Sequence, residues 1–304
     1  MTKFKFIIIT FSFLMFLADF TYSQGCSDAG FCTMNSFKPN NSDVIKELNN
    51  QVKIGAFFGK ADNSISVFGN YIEYNRKLNE NFGVDIKITA LGQNGNGISK
   101  YALSDAFVNA NYKVNDKLKL TLGTKIPLSN SNKTENNLPL PMDYQSSLGT
   151  FDLIFGVGFE YNKIQFVAAV QQPLTQNDNQ FLASSYPLDS KLRNFQSTNK
   201  FKRSGDVLLR VSYPISVSHN FKLTPSILPI YHIANDKYTD GFNVEREITG
   251  SQGLTFNGNV YLDYMINSKN ILQLNFALPF VIRDSRPDGL TRSFVANLEY
   301  RILF

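Results

Sequence analysis

The side chains of this chain best suited to act on charge sit one residue before a tyrosine. Glu73, Glu160, Asp263 and Glu299 precede Tyr74, Tyr161, Tyr264 and Tyr300. Neighbouring side chains of an extended strand point to opposite faces, so the four carboxylates share the face that their tyrosines avoid. Lys53, Lys87, Lys119, Lys222 and Arg301 fall on the carboxylate face by the same alternation. Charges of both signs gathered at one depth can neutralise one another or sort ions. Mutual pairing is the first expectation, because unpaired buried charge is costly. A selectivity filter built from the same residues is the alternative.

Bond-making chemistry finds little supply. The two histidines, His219 and His232, are far apart in sequence. His232 is followed by Ile233 and Ala234, so the His-x-Ser arrangement of outer-membrane acyl hydrolases is missing. Its parity, opposite to Ile227 and Tyr231, turns it to the polar face. Triads are recognised by geometry rather than order, so a hydrolase stays as the least favoured reading. Residues 92–97 (GQNGNG) lack the helix a phosphate-binding turn requires and read as an exposed loop. No metal-ligand spacing appears. Neither a catalytic residue nor a metal or cofactor is expected.

Cys26 and Cys32 enclose Ser-Asp-Ala-Gly-Phe. In an oxidising compartment they read as a small disulfide loop, with lipid attachment to Cys26 or a redox pair as alternatives. The spacing is not the Cys-x-x-Cys of redox motifs. The compartment follows from the N-terminus. Lys3 and Lys5 lead into an apolar run over residues 6–17, and Thr21-Tyr22-Ser23 supplies small residues before a cut at Gln24. Residues 1–23 are therefore read as a secretory signal peptide, and residues 24–49 as a periplasmic extension able to enter a lumen as a plug. The remaining chain, 50–304, is one unit.

That unit must be built from strands. Polar and apolar residues alternate with period two, as in Leu118, Leu120 and Leu122 against Lys119, Thr121 and Gly123. The repeats run longer than the usual globular strand of about 5–6 residues and match the roughly 9–11 that a tilted strand needs to cross a bilayer. Twelve are expected, near 50–59, 65–77, 82–92, 101–114, 117–127, 150–161, 164–173, 204–216, 221–232, 253–266, 271–282 and 292–304. The connections alternate between short turns and longer loops. The fold class is all-β, an antiparallel transmembrane β-barrel with short periplasmic turns, long extracellular loops and both termini in the periplasm. Six tyrosines, Tyr74, Tyr112, Tyr161, Tyr213, Tyr264 and Tyr300, fall on the apolar face of successive descending strands just before their turns, where a membrane girdle would sit.

Composition agrees. Of 304 residues, 43% are apolar and 18% charged, which excludes a disordered chain. The net charge of +5 is too mild and evenly spread for nucleic acid to be a partner. Leu103, Phe107, Val167, Leu208, Ile230 and Val281 put apolar groups on the inward face. That mixture suits a small, amphipathic or hydrophobic solute better than general salt flux. Loops 128–149 and 174–203, rich in Asn, Gln, Ser and Thr, suit wet exposed surfaces, and a barrel whose loops bind or scaffold an external partner is the second functional reading.

Two resemblances add to this. The last strand alternates Phe294, Ala296, Leu298, Tyr300 and Ile302 with polar and apolar neighbours and ends on Phe304. It resembles the C-terminal signature of bacterial outer-membrane barrels. That implies a Gram-negative outer membrane as the location, its lipid as surroundings, and recognition of Phe304 by the barrel-assembly machinery. The segment 138–153 (LPLPMDYQSSLGTFDL) is similar to loop-to-strand segments of the phenol-degradation and long-chain fatty-acid channel group, which implies passage of hydrophobic or aromatic small molecules. Residues 24–49 depart from that group's N-terminus. The expected activity is passive passage of a small solute through a porin-like channel. The lumen-lining residues would be Glu73, Lys87, Lys119, Glu160, Asp263, Glu299 and Arg301.

Overall fold

The computed structural model describes residues 33–39, 49–289 and 293–304. The signal peptide, Cys26 and Cys32 lie outside the described residues. Twelve long strands form the wall: β1 Asn50–Lys60, β2 Ser66–Lys77, β3 Phe82–Gly95, β4 Ile98–Lys113, β5 Leu118–Pro127, β6 Asp152–Tyr161, β7 Ile164–Pro173, β8 Asp206–Ser212, β9 Phe221–His232, β10 Gly253–Met265, β11 Asn270–Val281 and β12 Phe294–Leu303. Each pairs antiparallel with its sequence neighbours, and β1 pairs with β12 from Gln51↔Leu303 to Lys60↔Phe294. The sheet therefore closes into a ring with no edge, the only form in which strands can cross hydrocarbon. No described helix is long and apolar enough to cross a membrane.

The alternation sorts the two faces. Ile54, Ile72, Leu122, Phe155 and Leu298 stand on the outside, each more than two-fifths exposed. Lys53, Glu73, Thr121, Gln273 and Glu299 are buried inside. A soluble protein would cover so continuous an apolar belt; here it faces the bilayer.

Both described ends of the barrel chain meet at one rim, where Asn50 and Phe304 exchange backbone hydrogen bonds of 3.0 Å. The short turns lie at this rim. Three repeat one device: the side-chain carbonyls of Asn79, Asn115 and Asn267 each accept two backbone N–H groups two and three residues on, at 2.8–2.9 Å. These Asx turns satisfy amides that the chain reversal strips from the ladder. Asn162 and Lys163, with φ of 48° and 69°, make a two-residue hairpin of the primed type that matches strand twist.

Several sequence expectations need correction. Residues 92–95 are strand rather than exposed loop, and Asn96-Gly97, at φ 53° and 81°, forms a tight hairpin. Leu103 faces outward, 53% exposed. In the β3–β4 ladder Ser104 and Asp105 together oppose Thr89, a bulge that shifts the register between Ile88 and Ala90 and reverses the parity before it. A second shift, between Phe256 and Asn257, turns Val281 out. Strand 204–216 is shorter than expected. The wall strand ends at Ser212, and after Pro214, which has no N–H to donate, only Ile215–Ser216 pairs again.

The long connections divide. Asn130, Asn136, Asn137, Gln176, Ser184 and Asn194 are exposed as expected, while another group of their polar residues is buried. Asn179 donates to the Ser131 and Leu140 carbonyls and accepts from Thr198; Gln145, Ser146 and Ser147 are likewise buried. The segment 138–153 turns into the barrel mouth. There Tyr144 reaches the Gly95 carbonyl at 3.0 Å, and Leu140, Phe181 and Phe195 pack with Ile65 and Leu91.

The faces make a direct test. Placing a cation at the outer midpoint of β5, Leu122→Arg, should cost about 2–4 kcal/mol in a bilayer. Urea unfolding in liposomes, followed by heat-modifiable gel mobility, should show that loss. An unchanged midpoint would mean this face does not meet lipid.

Candidate functional site: a lumen held by charge and by an N-terminal segment

Inside the wall lies a segment that belongs to no strand. Residues 33–38 cross the bore, with a 3-10 turn at Asn35–Phe37. Its side chains alternate in chemistry. Met34 and Phe37, each 1% exposed, pack with Phe107, Ile154, Leu208, Leu228 and Ile230. This contact explains the apolar inward residues read from the sequence: Phe107, Leu208 and Ile230 face the plug, and Val167 packs at its margin. Gly156 is required here, because a Cβ on it would lie 2.2 Å from the Phe37 ring.

The polar side of the segment engages the charged wall. Lys38 meets Glu299 at 2.8 Å. Ser36 bonds Asp85 and Asn111 at 2.7 and 2.6 Å. Lys53 donates to the Asn35 side-chain oxygen at 2.6 Å, and Lys87 to the Thr33 hydroxyl at 2.7 Å. Arg210 donates to the Phe37 carbonyl. Each of these contacts joins the segment to the wall through a side chain, and among the described residues no strand pairing involves it.

Three of the seven expected lining residues, Asp263, Glu299 and Arg301, form one network. Glu299, fully buried, accepts from Lys38, from the Tyr71 hydroxyl at 2.5 Å and from Arg301 at 2.5 Å. Arg301 also reaches Asp263 at 3.4 Å, and Asp263 accepts from Gln273. Glu73 pairs with Lys53 at 3.4 Å. Lys87, although opposite Glu73 in register, goes instead to Thr33 and over the Tyr71 ring at 4.2 Å. Lys119 and Glu160 lie apart from this network. They line a vestibule of about 730 Å³ at the turn rim, which Asn35, Ser36 and Lys38 bound from within. Lys119 stands opposite Gly158 in register, and among the described residues no ion pair joins it to Glu160.

The expectation of one paired belt therefore holds for part of the set only. Tyr71, Asp85 and Arg210 were missed. Their inward parity is visible in the alternation, but their partners come from a segment with no periodic signal. The six girdle tyrosines all lie on the outer wall near the turn rim. Tyr112, Tyr161, Tyr213 and Tyr264 are about half exposed, while Tyr74 and Tyr300 bond Asn50 and Asn270 at 2.7 Å. Phe304 is 54% exposed at the same rim.

The other end carries a second buried cluster. His232 lies between Asp206 and Asp236, at 2.7 and 2.8 Å from its two ring nitrogens. Facing carboxylates on both sides, both nitrogens must donate, an arrangement that fastens loops rather than activating a hydroxyl. Arg203 joins Asp206 at 2.5 Å, and Arg283 joins Asp288 at 3.0 Å. His219 sits in the turn 217–220 at the opposite rim. Lys125 and Asp152 pair at 3.0 Å beneath the loops. Among the described residues no cluster of His, Cys, Asp and Glu is suited to hold a metal ion.

No family model matches the chain, and no curated protein matches it. Among solved structures it is similar to the NanC porin, at 9% identity with 84% of this chain and 98% of that chain covered and a TM-score of 0.44. It is similar also to the CymD monoaromatic hydrocarbon channel, at 9% identity with 93% and 94% covered and a TM-score of 0.45. The translocator domain of the autotransporter NalP from Neisseria meningitidis aligns at 8% identity, with 86% and 92% covered and a TM-score of 0.43.

Two outcomes follow from the geometry. Glu299→Gln leaves Lys38 and Arg301 buried without their shared counter-charge and should cost about 3–5 kcal/mol, read as a lower unfolding midpoint in lipid. At the loop end, burial, helped by the like charges of Asp62 and Asp288, pushes the half-buried Asp143 carboxyl up to about 7. The folded loops then hold its proton more tightly than the unfolded chain does. Its contribution is whole below the ordinary aspartate value of about 3.9 and is lost as pH rises toward 7. Limited proteolysis within 128–151 should accelerate between pH 5 and 8, and Asp143→Asn should flatten that rise.

Proposed function

We propose that the protein is an outer-membrane channel for passive passage of a small amphipathic solute, closed at rest by its own N-terminal segment. The reading places the turn rim and both termini in the periplasm, which fits a chain exported behind a signal peptide. No bond is made or broken in it, and no cofactor takes part. One observation carries it. A vestibule of about 730 Å³ ends on Asn35, Ser36 and Lys38, whose side chains bond to the wall. Twelve strands enclose more space than the roughly eight whose lumen side chains just fill, and here the surplus is taken up by a removable piece of chain. Each polar plug contact is worth about 0.5–1.5 kcal/mol net, or about 1.5–3 where charged, and the burial of Met34 and Phe37 adds about 1.5–3 each, sums that allow release to precede unfolding of the wall. The mixed lining of Phe107, Ile154 and Leu208 beside Lys53 and Lys87 suits an amphipathic solute.

A second reading, a barrel whose loops bind an external partner, is favoured by Leu188 and Phe242, each 88% exposed at the loop end. Liposome swelling separates the two. Gly156→Val puts atoms where the Phe37 ring now lies and should dislodge the plug. Swelling with small sugars and acids should be slow for the wild type and several-fold faster for the variant, falling with solute size. Silence from both proteins, with the variant folded by gel mobility, would remove the channel reading in favour of the second.

A further inference from the structure

Beside the charged network, one stretch of the inner wall is built from neutral amides. The side-chain oxygens of Asn257 and Asn259 on β10, and of Gln273 and Asn275 on β11, are buried and accept no hydrogen bond among the described residues. Half of the side-chain amide oxygens so placed among those residues lie on these two adjacent strands. The nitrogen ends of two of the amides are occupied: Asn257 donates to the Leu228 carbonyl at 3.3 Å and Gln273 to Asp263 at 2.8 Å. Their oxygens are therefore the ends left over. The Asn259 and Asn275 side chains hydrogen-bond to no described residue. A buried amide oxygen without a partner is costly, and most buried polar atoms of folded proteins have one. Four on one face of the wall point to a ligand that donates.

Register gives the layout. Asn259 stands opposite Ala277, and Asn275 opposite Tyr261, so the two amides are diagonal neighbours, about 7–8 Å apart at the backbone. Two hydroxyls on adjacent carbons can bridge that span, and Ala277 puts only a methyl beside the Asn259 amide. Loopward of Asp263 the inward residues of β10 and β11 carry no charge as far as Thr255 and Ala277, so an ion would meet no counter-charge on these strands. Leu228 lies opposite Asn257 in the β9–β10 ladder. With Ile230 it belongs to the apolar cluster that Met34 and Phe37 cover. Hydrogen-bond acceptors and apolar surface thus adjoin once the plug has left. We propose that the inward face of β10 and β11 binds a compact neutral diol, its hydroxyls donating to Asn259 and Asn275 and its carbon skeleton lying on Leu228 and Ile230. The inference deepens the channel reading and rests on it, since the plug covers the apolar half of the site.

Calorimetry on the full chain in neutral detergent tests it with cyclohexane-1,2-diol and with its dimethyl ether, which keeps both oxygens but cannot donate. Gly156→Val, with the plug dislodged, should bind the diol about tenfold more tightly than the wild type does, and should not bind the ether measurably. Adding Asn259→Ala and Asn275→Ala should weaken the diol about tenfold, two neutral hydrogen bonds being lost. Where Gly156→Val does not fold, Phe37→Ala removes the plug's ring and takes its place in the same comparison. Equal binding of diol and ether, or diol binding unmoved by the two asparagine substitutions, would overturn the site. Absence of diol binding by the opened protein would assign the amides to ordered water alone, and would overturn it too. Diol binding by proteins that never swell liposomes would keep the site and remove the channel. Swelling without any preference for diol over ether would keep the channel and remove the site.

Discussion

Hydrocarbon outside the wall constrains everything else in this molecule. A strand in lipid must pair both backbone edges, so the sheet has to close, and closing it assigns every second side chain to an interior that water reaches poorly. Charges sent inward cannot be solvated as they would be on a surface. Glu299 shows the result: it is fully buried, yet it is met by Lys38, Tyr71 and Arg301. The wall supplies only part of that neutralisation. The rest comes from a strandless piece of chain, which makes the plug a component of the electrostatics as well as an obstruction.

The two ends of the bore solve the same problem differently. Toward the turn rim, beside the Glu299 and Glu73 ion pairs, Lys53, Lys87 and Arg210 also reach neutral oxygens on residues 33–37. Toward the loops, carboxylates and cations engage each other: Lys125 with Asp152, Arg203 with Asp206, Arg283 with Asp288. These pairs draw on wall strands and long connections together, so opening that end would uncover several buried charges at once.

The apolar parts of the interior follow the same logic. Phe107, Leu208 and Ile230 on the inner wall would be exposed in an empty bore; with Met34 and Phe37 in place they are buried almost completely. Burying a side chain of this size is worth about 1.5–3 kcal/mol, comparable to one of the charge-assisted bonds beside it. The plug is therefore held by apolar and polar contributions of similar weight.

Period-two alternation was enough to specify the barrel, its twelve strands and the face on which Glu73, Asp263, Glu299 and Arg301 lie, because side-chain direction in a strand is a local property of the backbone. The Asn-bearing turns were readable for the same reason. Alternation failed where one extra residue enters a strand. Bulges opposite Thr89 and near Phe280 reversed the direction of Leu103 and Val281, and nothing local marks such a residue before its partner strand is known. Composition could not tell which loop residues stay wet and which turn inward, since an Asn or Ser looks alike whether it meets water or the Leu140 carbonyl. Which carboxylate meets which cation, and that Lys87 passes over Glu73 for Thr33, was decided only by tertiary structure. Residues 33–38 carry no periodic pattern, and their contacts with the wall span up to 261 positions of sequence, a separation at which pairing depends on the closed shape of the ring.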